Sequence, residues 1–370
     1  MADSLQPFRK KTGYVWNAVY IELTNACNFH CDSCPSDLLK RPRAGMPRSL
    51  WEKLLREIAD KRLSDTVCFH QLGEPLINPE VFDAIEVANN NGLCVILFTN
   101  GMLLDESRSQ RLLQSLKNGM VVVSLQNVRP EAFGTRSRNA LTWNEYFERV
   151  KNFLVKADTQ GLSVRVSCLV DVCSIGWNVV KYWKEQREIQ YWYNSFARLL
   201  GGRSRWVNII NPMVSYPLGK KAALYVFLKC TWNNQFRPPG IGVVKNQYSH
   251  CSSIHDLFVV ESNGRCTFCC CDYEGILDLG NALHSSLEEI FLGEKSQRII
   301  ANEANGRLIE ERCQECQGRL INSKTGKLVP DRPFYMEYYY FRKYLMRCDV
   351  RGVARKAVEN IRRRFLRVNA

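Results

Sequence analysis

The residues with the most chemistry in this 370-residue chain are its cysteines, and their spacing matters more than their number. Cys27, Cys31 and Cys34 stand in a C-x3-C-x2-C pattern. They follow an apolar run, Ala18 to Leu23, that reads as a buried strand ending in a polar loop. Three thiolates on so short a loop converge on one point and can hold three corners of a cubane iron–sulfur cluster. The fourth iron then has no protein ligand, and a small molecule carrying an amine and a carboxylate can chelate it. Zinc is the alternative, because it also takes thiolates. A structural zinc needs four closed ligands, and no fourth Cys or suitable His follows closely; His30 sits between two of the three.

This stretch resembles the cluster loop of the radical S-adenosylmethionine (SAM) enzymes. The resemblance implies that Cys27, Cys31 and Cys34 hold a [4Fe–4S] cluster whose open iron binds the amino and carboxylate groups of SAM. It also implies a flavodoxin- or ferredoxin-type reductant, and cleavage of SAM to a 5′-deoxyadenosyl radical that takes hydrogen from a substrate. Three later stretches fit the same family. Asp65 to Leu72 reads as a strand leading into Gly73-Glu74-Pro75, where members carry a Gly-Gly-Glu-Pro-like turn that binds the SAM amino group; Leu72 replaces the first Gly. Leu93 to Phe98 is a strand ending in Thr99-Asn100-Gly101, with Asn100 expected on the cofactor or closing the turn. Ser124 and Gln126, after the strand Met120 to Ser124, occupy the place where relatives contact the SAM ribose. Each of these also has a plain reading as a strand-ending turn or a local hydrogen-bonding group.

A second cysteine set lies further on: Cys251, then Cys266, Cys269, Cys270 and Cys271, then Cys313-x2-Cys316. Phe258 to Val260 and the turn Asn263-Gly264 suggest a β-hairpin beneath these ligands, and Ser285 to Ile290 reads as a turn and a helix. The ordering resembles the SPASM and twitch extensions of radical SAM enzymes, which hold auxiliary iron–sulfur clusters. By that resemblance Cys251, Cys269, Cys313 and Cys316 hold one auxiliary [4Fe–4S] cluster, in the manner of the shorter twitch type. Gly264-x4-Cys spacing favours Cys269, with Cys270 as substitute, and a four-thiolate zinc site fits the same spacings. Only Cys348 follows, too few for a second auxiliary cluster.

The elements that must position these groups alternate. Helical spacing is expected over Ser49 to Lys61 with Ser49 as cap, Glu80 to Asn91, Asp105 to Leu116, Trp143 to Ala157 and Val179 to Glu188. Strands five and six are expected at Ser163 to Val172, where Cys168 and Cys173 are read as core packing, and at Trp206 to Asn211. Apolar strands buried on both faces, alternating with helices, imply an α/β fold with a parallel sheet and ligands at the C-terminal strand ends. The resemblance narrows this to a partial (β/α)6 TIM-like barrel with a small C-terminal cysteine-rich SPASM/twitch extension. The expected division is a lead-in over 1–15, the barrel over 16–215, a connecting segment over 216–248, the auxiliary-cluster domain over 249–325 and a basic helical tail over 326–370. In the connecting region Tyr191-Trp192-Tyr193, Trp232 and Phe236 either line a substrate pocket or simply pack.

Composition sets the class. Hydrophobic residues make up 45% and charged residues 24%, as in ordinary globular proteins. Residues 1–11 hold no apolar segment, and no long apolar run occurs, so neither a secretory signal nor a membrane span is expected. A reducing, cytoplasmic setting follows, which thiolate ligands need. The net charge is +14, and eleven Lys and Arg against four Asp and Glu fall between Asp331 and Ala370. That tail, with Arg362-Arg363-Arg364, reads as a solvated amphipathic helix first, and as a peripheral contact with the cytoplasmic face of an anionic membrane second.

The resulting expectation is a radical SAM enzyme of oxidoreductase type acting on a small polar molecule, such as a sugar or aminocyclitol alcohol. The auxiliary cluster would accept the second electron. Peptide modification or epimerisation is the alternative, weakened by the short lead-in, which has no room for a leader-binding domain. A zinc-stapled nucleic-acid-binding protein ranks last, because the Gly73-Glu74-Pro75 and Thr99-Asn100-Gly101 turns have no job in it. No general base is evident; Glu22, His70 and Arg165 point from strands toward a possible pocket.

Overall fold

The computed structural model describes residues 3–31, 34–126, 133, 141–170, 179–209, 214–228 and 239–328. In chain order the barrel elements are β1 (Ala18–Ile21), α1 (Arg48–Asp60), β2 (Thr66–Phe69), α2 (Val81–Asn90), β3 (Cys94–Thr99), α3 (Glu106–Ser115) and β4 (Gly119–Gln126). They continue with α4 (Trp143–Gln160), β5 (Ser163–Val170), α5 (Val179–Leu199), β6 (Ser215–Pro217) and β7 (Ala222–Leu228). The C-terminal part adds β8 (Ile241–Val244), α6 (Ser253–Asp256), β9 (Leu257–Val260), β10 (Arg265–Thr267) and β11 (Gly280–Asn281), then α7 (Leu287–Leu292), α8 (Glu294–Ala304), α9 (Glu311–Cys316) and β12 (Arg319–Asn322).

The helices form where apolar residues recur at three and four. In α1, Leu50, Trp51, Leu54, Leu55 and Ile58 are all buried. Its cap position is Pro47, with no side-chain cap bond, so Ser49 lies inside the helix and not before it. α4 starts at a capping box in which Thr142 Oγ1 accepts from the Glu145 N–H at 3.3 Å and Glu145 accepts from the Thr142 N–H at 2.7 Å.

The strands β1, β2, β3, β4, β5 and β7 run parallel in that order, and β6 closes one edge antiparallel to β7. The sixth parallel strand is therefore Ala222–Leu228 and not the expected Trp206 to Asn211. Within the latter, residues 206–209 form no strand and 210–211 lie outside the described residues. The physical reason is the length of α5, which runs to Leu199 where Glu188 was expected. Its buried Tyr193, Phe196 and Ala197 extend the apolar face, and the chain needs the following residues to turn back to the sheet.

The other edge of the sheet is completed by the C-terminal part itself. β9 pairs parallel with β1, and the β9–β10 hairpin and β11 extend the same ten-stranded sheet. Phe8 of the lead-in meets Phe291 of α7 edge-on at 5.0 Å, and Trp16 just after it stacks on Phe258 of β9 at 4.5 Å, so the lead-in is packed against the cysteine-rich part.

Alternation along the strands gives the sheet two different faces. Val67, Val95, Val121, Val164 and Leu224 point to the helices and are fully buried in the core. The intervening residues line the concave face. The registers place Tyr20, Cys68, Ile96 and Met120 in one row, and Phe98, Val122, Arg165 and Ala223 in the next. Among the described residues no helix is long and apolar enough to cross a membrane.

Candidate active site

The loops after β1, β2 and β3 meet at one end of the sheet, and the contacts between them are specific. Gly73 has φ +76, and a Cβ there would fall against the Thr24 carbonyl and within 2.8 Å of that of Ala26. Only glycine lets the turn approach the cysteine loop this closely. The next residue fastens it: the Glu74 N–H donates to the Ala26 carbonyl at 2.8 Å.

Glu74 itself is 1% exposed. Its carboxylate accepts from the Leu76 N–H at 3.1 Å, the Thr99 hydroxyl at 2.8 Å and the Asn100 N–H at 2.6 Å. Burial pushes its pKa up to about 7, opposed by these three donors. The two turns that the sequence singles out are thus joined through one carboxylate. Asn100 continues the chain of contacts: its Nδ2 lies 2.7 Å from Asn28 Oδ1 and 3.8 Å from the Cys27 sulfur, and its carbonyl accepts from the Tyr146 hydroxyl at 2.8 Å.

Cys27, Cys31 and Cys34 lie near enough for their charges to act on one another. Burial first, and then the charges of Glu74 and Cys31, push the Cys27 thiol up to about 11; burial, with the charges of Cys31 and Cys27, pushes Cys34 to about 12. The Cys27 sulfur also accepts from the Phe29 N–H at 3.4 Å. Half-buried thiols that raise one another, with N–H donors aimed at sulfur, suit a shared cationic iron centre, which reverses the cost of ionising them. Ser124 is half-buried on the concave side. The register between β4 and β5 slips between Ser124 and Gln126, so the strand end is irregular where a cofactor contact is expected.

In the second cysteine set the thiols also raise one another. Burial and then the Cys269 charge raise Cys251; burial, Cys269 and Cys251 push Cys313 up to about 12. Cys316 is raised by burial and by Cys269, Cys251, Cys313 and Cys270. Cys269 is therefore the partner that all three others feel most, while Cys270 is felt by Cys316. Cys271 donates its N–H to the Cys269 sulfur at 3.3 Å, and Cys266 is packed in the hairpin core with its S–H directed at the Gly264 carbonyl at 3.6 Å. Among the described residues no group of three or more Cys, His, Asp or Glu is drawn tightly enough to hold a single metal ion.

Several contacts that no local spacing encodes lie around these cysteines. Arg41 makes a two-pronged pair with Glu22 at 2.6 and 2.7 Å, and Glu22 also accepts from the Ser262 N–H at 2.9 Å. Glu261, pushed up to about 8 by burial, lies 3.6 Å from the same guanidinium. Glu22 is thus closed off in an ion pair and does not serve as a pocket base. Glu303 of α8 accepts from the Cys251 N–H at 2.6 Å and meets His250 and His255. Only the folded chain brings these together, across as many as 240 residues.

Of the aromatic triplet, Tyr193 is buried with its hydroxyl on the carbonyls of Arg203 and Pro217, Trp192 packs on Phe147, and Tyr191 is exposed. They belong to the helical layer and do not line the concave face. Cys168 is core packing as expected. Cys173, Trp232, Phe236, Cys348 and the basic tail from 329 onward lie outside the described residues.

Comparison with known proteins identifies two domains in the chain. Residues 21–176 match the radical SAM superfamily, and residues 251–317 match the SPASM iron–sulfur cluster-binding domain. An uncharacterized protein of Methanocaldococcus jannaschii is 36% identical over 133 residues, 36% of this chain and 40% of that protein. The PqqA peptide cyclase of Gluconobacter oxydans is 32% identical over 92 residues, 25% of each chain. The chain thus spans well under half the length of these relatives in the matched parts. The solved structure of native anSMEcpe with bound AdoMet superposes with a TM-score of 0.51 at 17% identity, covering 90% of this chain and 98% of that one. Its cofactors are accordingly a [4Fe–4S] cluster with SAM and an auxiliary iron–sulfur cluster. The chain belongs to the radical SAM superfamily and carries a C-terminal SPASM domain.

Proposed function

We propose that this enzyme oxidises an alcohol carbon of a small polar substrate held on the concave face of the barrel. In this reading Cys27, Cys31 and Cys34 hold the SAM cluster, Gly73, Glu74, Pro75, Asn100, Ser124 and Gln126 cradle SAM, and Cys251, Cys269, Cys313 and Cys316 hold the auxiliary cluster. When bound, these groups supply a 5′-deoxyadenosyl radical that removes hydrogen and an acceptor for the second electron. Cys269 is preferred over Cys270 because the other three thiols feel it most.

The observation that carries the reading is the position of the auxiliary loop. Tyr20, on the concave wall, has its phenol raised by burial and then by Cys68, Cys270 and Cys271. The Gln71 side chain after β2 reaches the Asp272 carbonyl at 3.5 Å, and Arg41 donates to that of Tyr273 at 2.9 Å. These contacts support an auxiliary segment beside the concave space, as the proposed electron acceptor requires.

Peptide modification is the second reading, favoured by the similarity to a peptide cyclase. The discriminating experiment uses anaerobically purified enzyme with about eight iron per chain and a Cys313→Ala, Cys316→Ala variant with about four. With candidate polyols, the wild type forms a carbonyl product and the variant cleaves SAM without forming it. Product formed equally by the variant removes the acceptor role; cross-linking of a small peptide with no polyol turnover favours the second reading.

A further inference from the structure

Arg165 sits in the middle of β5, paired on both sides, with Val122 of β4 and Ala223 of β7 as its register partners. Its neighbours Val164 and Val166 point into the helical core and are buried, so Arg165 faces the concave side, where it is exposed. A central parallel strand has both faces covered in most sheets, so an arginine exposed at the middle of its concave face stands open to a ligand. The guanidinium carbon lies 5.5 Å from the centre of the Tyr225 ring, an interaction that orients the fork without neutralising it. Among the described residues no carboxylate pairs with it.

Among the described residues of these two rows Arg165 is the only charged one. Glu22 is matched by Arg41 at 2.6 and 2.7 Å. His70 stacks on Phe98 at 4.2 Å, and burial lowers its pKa to about 4, so the imidazole is neutral. The remaining neighbours in these rows, Ile96, Met120 and Val122, are apolar. One unmatched, planar, five-donor cation in otherwise neutral rows suits a carboxylate or a phosphate, which it can grip with two parallel bonds.

We infer that Arg165 is an anion-recognition residue for the substrate, so that the small polar substrate carries a carboxylate or phosphate group. The inference rests on the concave face being the substrate site, as proposed above. Along β5, Arg165 lies two residues before Ser167, which pairs with Ser124 at the expected cofactor level. That separation is roughly 7 Å. The anionic group is therefore anchored deeper than the strand ends, and a molecule of a few carbons spans from it to the level of SAM.

The test measures binding without turnover, so it fails separately from the oxidation reading. Anaerobic holoenzyme loaded with SAM is titrated with acetate and myo-inositol by saturation-transfer proton NMR and with inorganic phosphate by phosphorus line width. Saturable binding of acetate or phosphate is expected, and which of the two binds more tightly identifies the group. In Arg165→Gln that affinity falls at least tenfold, in Arg165→Lys it falls less, and SAM affinity stays within twofold in both. Arg187→Gln, on the exposed face of α5, leaves anion binding unchanged. No saturable anion binding, equal binding in Arg165→Gln, or loss in Arg187→Gln of the same size overturns the proposal. So does a parallel fall in SAM affinity in both Arg165 variants, which would assign the guanidinium to the cofactor.

Discussion

The carboxylate of Glu74 receives the backbone N–H of Asn100 at 2.6 Å, and this one bond ties the turn after β2 to the turn after β3. Both turns then act on the cysteine loop, Glu74 through the Ala26 carbonyl and Asn100 through Asn28 and the Cys27 sulfur. A hydrogen bond to a charged group is worth about 1.5–3 kcal/mol, and a buried donor left alone costs a similar amount.

Glu74→Ala strands the Thr99 hydroxyl and the Asn100 N–H in a buried site. SAM affinity is expected to fall roughly ten- to hundredfold, as 1.5–3 kcal/mol implies. Equilibrium SAM binding on iron-replete protein checks this, and unchanged affinity would show that the turns hold without the bridge.

Gly73→Ala places a methyl group against the Thr24 carbonyl. The cysteine loop must move, and iron is expected to drop from about eight to about four per chain while the auxiliary spectrum persists. Gly92→Ala shares the positive φ, at +77, but meets nothing within 4 Å, so its iron content should match the wild type. Iron and acid-labile sulfide assays on both decide it.

Cys269→Ala and Cys270→Ala separate the two auxiliary candidates. The first is expected to lose the auxiliary cluster and the second to keep it, because Cys269 is the thiol that Cys251, Cys313 and Cys316 all feel. Electron paramagnetic resonance of the reduced variants, with iron counts, reads the result; the reverse pattern would exchange the assignments.

His70 carries a pH prediction. Its pKa of about 4 in the folded chain lies below the ordinary 6.5, so between these values the unfolded chain binds a proton that the folded chain refuses. The stability due to neutral His70 is complete above about pH 6.5 and is lost as pH falls toward 4, by up to about 3 kcal/mol. The His70 ring resonance should stay in its neutral position down to about pH 5, identified by its absence in His70→Gln. A midpoint near 6.5 would refute the burial argument.

Part of this protein is legible without coordinates because the causes are local. Helical spacing, the hairpin at Asn263-Gly264, and cysteines a few residues apart depend on neighbours in sequence, so α1 to α4, β9–β10 and the first cysteine loop fall close to where they are expected. The sixth strand does not, since α5 outruns its polar-looking Gln190 and hides its apolar face among aromatic residues.

The sequence by itself determined which groups could hold iron and which turns follow the strands, because ligand chemistry and turn geometry are written in residue type and spacing. Tertiary structure alone decided the rest. It joined the cysteine-rich hairpin to the barrel sheet through β1 and closed Glu22 onto Arg41. It also set Arg165 on the concave wall with no carboxylate partner among the described residues. Each of these depends on which distant side chains share one small volume, and no local spacing encodes that.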